Sequence, residues 1–100
     1  MGNPIADFPW KYAHVAATAL VSSGRCVLHT IVVNGLTTQG DITVRDGTDG
    51  TGTVVAILHL DLTTSVSVQP ITLTYDCLCP GGLYIEYDQA VAADLTVNHM

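Results

Sequence analysis

Three cysteines, Cys26, Cys77 and Cys79, and four histidines, His14, His29, His59 and His99, are the residues of this chain best suited to metal or redox chemistry. Thiolate and imidazole are ligands that zinc takes, but structural zinc sites use paired C-x2–4-C or H-x3–5-H ligands. Here a single C-x-C stands alone and the histidines are scattered. The expectation is therefore small thiols filling the core, histidines on strand surfaces or at subunit contacts, and no metal or other cofactor. An odd cysteine count without an export signal points to a reducing compartment during synthesis. Cys77 and Cys79 on one strand would face the same side about 6–7 Å apart, too far to join without distortion. A bridge from Cys26 to either of them stays open.

The acids give no catalytic pattern. Asp46 and Asp49 lie in a glycine-rich stretch and offer two carboxylates to a hard cation that wants six to eight oxygens, and the EF-hand spacing is absent. A plain turn is the expected use of both. Glu86 and Asp88 share a strand face and resemble a glycosidase pair only superficially, so solvated rim residues are expected. Neither a G-x-S-x-G elbow nor a family-specific cysteine signature is present. We expect no enzyme activity and no catalytic residue.

The elements that carry these side chains are strands. Hydrophobic residues make up 48% of the chain and charged ones 12%, and nearly a third of the residues are Val, Ile or Thr, which pack well on a pleated surface. The length of 100 residues fits one domain. Three basic residues against nine acidic ones give a net charge of −6, which opposes ligands bound by neutralising phosphates, so neither nucleic acid nor an anionic membrane is an expected partner. The longest apolar run, residues 13–21, is interrupted by His14 and Thr18 and is too short to span a bilayer.

Residues 1–10 hold Pro4 and Pro9 with no regular period and read as an extended arm ahead of a single domain over residues 11–100. Ile5, Phe8, Pro9, Trp10 and Tyr12 cluster where the arm meets the first strand and are the candidate partner-binding residues, because aromatic rings with proline anchor well in a partner's pocket. Alternation predicts one strand over residues 11–22 and a second over 26–34, closed by an Asn34-Gly35 turn. A strand over 41–46, a glycine-rich hairpin and a strand over 53–61 follow. A long strand from Val66 to Cys77 is expected to be broken at Pro70, and strands over 83–88 and about 94–98 complete the chain. Seven or eight strands joined by turns every 8–14 residues predict an antiparallel β-sandwich of jelly-roll-like form. Its expected core is Val15, Val21, Ile31, Val33, Ile42, Val44, Leu58, Leu73, Ile85 and Leu95.

The strand–turn–strand unit ITVRDGTDGTGTVVA (42–56), led by LHTIVVNG (28–35), resembles a pattern common in small tailed-phage virion proteins of β-sandwich or jelly-roll type. The similarity covers about residues 28–60. It implies a structural role on a virion, assembled in the host cytoplasm and seated on the capsid surface as a decoration or cement protein. The expected partners are the major capsid protein or another virion protein, and further copies of the chain, with a homotrimer favoured by family analogy. Apolar residues on both parities of 26–34 and 53–60 also suggest an oligomer, since a sandwich core covers one face of each strand. The alternative is a carbohydrate- or receptor-binding module of a head fibre or tail. That reading asks for an exposed aromatic flanked by Asp or Asn, and the sequence shows none near its tyrosines.

Overall fold

The structure, a computed structural model, describes residues 10–61 and 70–100. Among the described residues every regular element is a strand: β1 (Lys11–Val15), β2 (Ala19–Ser22), β3 (Cys26–Thr38), β4 (Gly40–Asp46), β5 (Thr53–Leu60), β6 (Ile71–Cys79), β7 (Leu83–Tyr87) and β8 (Ala92–His99). They form two four-stranded antiparallel sheets, ordered β1-β8-β3-β6 and β2-β7-β4-β5.

That order has a simple origin. β4 and β5 make the central hairpin, and each step outward pairs the next two strands, β3 with β6, β2 with β7 and β1 with β8, in alternate sheets. The chain is one long folded-back ribbon wrapped into a sandwich, which is the jelly roll. The expected all-β sandwich and its jelly-roll form are therefore what the chain adopts.

The core lies between the sheets. Leu28, Ile31, Val33, Leu95 and Val97 from the first sheet meet Ile42, Val44, Leu83 and Ile85 from the second, all with no exposed surface. Each such aliphatic side chain contributes about 1.5–3 kcal/mol by leaving water. Of the expected core, Val21 and Leu73 are only half-buried and pack against its margin, because β2 and β6 are edge strands.

Three differences from the sequence reading share one cause. Residues 11–22 form two strands in different sheets, separated at residues 16–18, where Thr18 Oγ1 accepts the Tyr87 backbone N–H. Odd-numbered residues face the core on both sides of this crossing, so alternation carries no mark of it. Asn34-Gly35 makes no hairpin: β3 continues through it for 13 residues, with a register shift against β8 between Val33 and Gly35. Burying Leu36 on the inner face and pairing with Ala93 outweighs the local turn preference. The last strand begins earlier than expected, at Ala92, and ends at His99, for the same reason of pairing with β1 and β3. The expected start of a strand at Val66 lies outside the described residues, and β6 begins just after Pro70.

One end of the sandwich is closed by Gly82, whose φ is 134°. A Cβ there would fall 2.7 Å from the carbonyl oxygens of both Gly47 and Ser22. Only glycine lets these three turns converge.

Candidate functional site

The outer face of the β1-β8-β3-β6 sheet brings together a set of polar and aromatic side chains from all four of its strands and from Trp10 just before β1. Because Val15, Leu95 and Val97 point inward, their neighbours Tyr12, His14, Asp94, Thr96 and Asn98 point outward. Register sets Tyr12 opposite Asn98 and His14 opposite Thr96. β3 adds His29, Thr30 and Asn34 beside them, and β6 adds Asp76.

Hydrogen bonds order this face. Asn98 Nδ2 donates to Thr30 Oγ1 at 2.7 Å, and Asn34 Nδ2 donates to Thr96 Oγ1 at 2.9 Å and to Asp94 Oδ1 at 3.2 Å. Asp94 Oδ1 also accepts His14 Nε2–H at 2.7 Å. His29 Nδ1 and Asp76 Oδ1 are bonded across β3 and β6. A carboxylate can only accept, so the bonded imidazole nitrogen carries the proton, and the other nitrogen of a neutral ring is left as an acceptor.

The His29–Asp76 pair rests on irregular backbone. β3 shifts register between Leu28 and Thr30 against both β6 and β8, and Asp76 is the one non-glycine residue with positive φ, 48°, among the described residues. Two residues of β6, Tyr75 and Asp76, stand against one of β3, as in a β-bulge that re-aims a side chain. Trp10 lies over the His29 ring, with centroids 4.6 Å apart and planes 28° from parallel. It stays 42% exposed, and Tyr12 stays 77% exposed.

No family model, curated protein or solved structure matches this chain.

The other expected sites resolve into structural roles. Asp46 accepts the Gly81 N–H at 2.8 Å, tying the β4–β5 hairpin to the β6–β7 turn. Asp49 accepts both the N–H and the hydroxyl of Thr51, an Asx-type turn that holds its carboxyl below the usual carboxylate range. Glu86 is held by Arg45 through Nε at 3.1 Å and Nη2 at 3.0 Å, and Arg45 Nη1 donates to the Gly52 carbonyl. Glu86 and Asp88 border an open depression with Asp41, and Asp41 Oδ1 accepts His59 Nδ1–H at 2.9 Å. No cluster of three or more His, Cys, Asp or Glu among the described residues is arranged to hold a metal ion.

The thiols divide by register. Cys26 faces Cys79, whereas Cys77 faces Leu28. All three are free, with Cys26 and Cys79 buried. Burial, then the neighbouring Cys77 and Cys26 thiols, pushes Cys79 up to about 12, and burial raises Cys26.

Of the expected arm contacts, Ile5, Phe8 and Pro9 lie outside the described residues. Trp10 and Tyr12 belong to the outer face just described. His14 and His29 lie on strand surfaces as expected, and the residues that sequence reasoning missed there are Asp76 and Asn98. The apparent lack of an Asp or Asn beside an exposed tyrosine holds only along the chain: folding brings Asn98 to Tyr12 from 86 positions away. Among the other tyrosines, Tyr87 donates its hydroxyl to the carbonyls of Ala93 at 2.8 Å and Val15 at 3.1 Å, bonding the two sheets together.

Apolar surface remains on the opposite edge. β5 and β6 are the edge strands there, and a groove between them is lined by Val33, Leu58, Leu60, Ile71, Leu73 and Tyr75. On β5, Val54 and Ile57 are each 46% exposed. The doubly apolar character expected of β3 is weaker than its sequence suggests. Its outward Val27 and Val32 are half-buried, and Val32 lies between Thr72 and Thr96.

Proposed function

We propose that the chain is a non-enzymatic structural virion protein of the capsid decoration or cement type, which oligomerises and attaches to the outer surface of a phage head. The resemblance of residues 28–60 to small phage virion proteins supplies the context. The observation that supports the physical part is the apolar β5–β6 edge. Val54 and Ile57 on the outer side of β5, and Ile71 and Leu73 in the groove between β5 and β6, present apolar side chains beside two strand edges. Strand edges invite pairing unless they are covered, and apolar surface beside them adds the driving force. Another copy, or a neighbouring shell protein, covers both at once. The mechanism is linkage without turnover: a partner that binds only the folded, assembled form stabilises it by mass action.

Light scattering of the purified chain, alone and with phage heads that lack it, tests this reading. A stable oligomer, trimeric by the family analogy, that co-sediments with heads is expected. Ile57→Lys should dissociate it while circular dichroism stays unchanged. A monodisperse monomer at high concentration, indifferent to heads, overturns the proposal.

A further inference from the structure

We propose that the outer face of the β1-β8-β3-β6 sheet is a carbohydrate-binding site for neutral glycans, with Trp10 and Tyr12 stacking on sugar rings and Asn98, His29, Asp76 and His14 bonding their hydroxyls. Four features of that face support this independently of any virion role.

The first is the pairing of aromatic and planar polar groups. A sugar presents an apolar C–H face and a rim of hydroxyls that both donate and accept. Trp10 and Tyr12 lie on one side of the sheet, roughly 6.5 Å apart along the chain, with rings open to solvent. Tyr12 has Asn98 directly across from it, and Trp10 has the His29–Asp76 pair beneath it. Amide, imidazole and carboxylate groups supply both donors and acceptors at the edge of each ring.

The second is charge. Asp76 and Asp94 each accept a hydrogen bond from an imidazole, which fixes the carboxylates in place and leaves them as anionic acceptors on this face. With a net charge of −6 on the whole chain, the face suits an uncharged ligand and opposes sulfated, phosphorylated or sialylated ones.

The third is order before binding. Asn98 is bonded to Thr30, Asn34 to Thr96 and Asp94, His14 to Asp94, and Trp10 is stacked on His29. Side chains already held in place lose little entropy when a ligand arrives.

The fourth is backbone cost. The left-handed conformation at Asp76 and the two register shifts at His29 coincide on this one spot. Strained residues gather where a side chain must be aimed.

Trp10 is the single tryptophan, so indole emission reports this site and nothing else. The full chain should be applied to an array of neutral and anionic oligosaccharides, and the strongest neutral binder titrated against that emission. Binding to neutral glycans with a shifted or quenched indole signal is expected. Tyr12→Ala should weaken it about tenfold or more, with Tyr12→Phe retaining most of it. Trp10→Ala, read by calorimetry, should do the same while circular dichroism is unchanged. Three results overturn the proposal: no glycan bound, binding confined to anionic glycans, or neutral binding that survives both alanine substitutions.

Discussion

Asp76 reaches across the β3–β6 pair to His29 from a left-handed backbone conformation, with φ at 48°. Holding an L-residue there costs about 1–2 kcal/mol, although Asp tolerates it better than most. An exposed ion pair returns about 0.2–1 kcal/mol, and both side chains here are well exposed. The contact therefore does not offset its own strain. Stability is not what the bulge supplies; it sets where the imidazole and carboxylate sit relative to Trp10.

Substitution at this position separates the two effects. Asp76→Gly relieves the backbone while losing the pair, so urea unfolding should move by no more than about 1 kcal/mol either way. Asp76→Val loses the pair and worsens the strain, and should cost about 1–2 kcal/mol more than the glycine variant. A glycine variant less stable than the valine one would remove the strain argument.

Gly82 is the opposite case, since its clash is with backbone. Gly82→Ala pushes a methyl group onto the Gly47 and Ser22 carbonyl oxygens, neither of which has a side chain's freedom to turn away. A loss of about 1–3 kcal/mol is expected from the forced backbone alone. Gly24→Ala, where an added Cβ meets nothing within 4 Å, should be close to neutral in the same denaturation series. Equal effects at both positions would contradict the convergence of the three turns.

Stability should fall at both ends of the pH range. Burial, then the neighbouring thiols, lifts Cys79 from 9.0 to about 12, and burial, then Asp94, lifts Tyr87 from 10.0 to about 12. Between those limits the unfolded chain has released protons that the folded chain keeps. The unfolded state then binds fewer protons, and stability declines as pH rises above 9.0. On the acid side, burial and then the Lys11 charge hold His99 below 6.5. The unfolded chain takes up a proton that the folded imidazole resists, so stability is lost as pH falls below 6.5. Thermal unfolding scanned across pH should give a dome, with Cys79→Ala flattening its alkaline limb and His99→Leu its acid limb.

Thiol chemistry should follow register. Ellman's reagent should label the partly exposed Cys77 first, with Cys26 and Cys79 reacting only as the chain unfolds. After oxidation with diamide, peptide mapping should recover a Cys26–Cys79 bridge, because these two are direct cross-strand partners. Recovery of Cys26–Cys77 as the main product would contradict the β3–β6 alignment.

Much of the architecture is legible in the sequence. The alternation of Ile42 and Val44 with Thr43 and Arg45, and of Leu83 and Ile85 with Tyr84 and Glu86, identifies half-buried strands and the residues that face inward. Asp46-Gly47 and the glycines after it place the central β4–β5 hairpin, from which the wrapped ribbon follows. These features are local, since a side chain's facing and a turn's backbone needs depend on near neighbours. The Asn34-Gly35 signal misleads because the pairing of β3 with β8 is not local: the gain from burying Leu36 comes from a strand almost sixty residues away.

Trp10 and Tyr12 of the candidate site stand out in the sequence, but the polar groups placed around them are of the second kind. Composition, charge and alternation determined that this chain is a strand-built sandwich with an acidic, sparsely charged surface, because each is a sum or a period along one dimension. Tertiary structure alone decided that Asn98 stands beside Tyr12 and that Asp76 holds His29 beneath Trp10. Those contacts depend on strand order and on one-residue register shifts, and a shift of one residue sends every side chain beyond it to the other face.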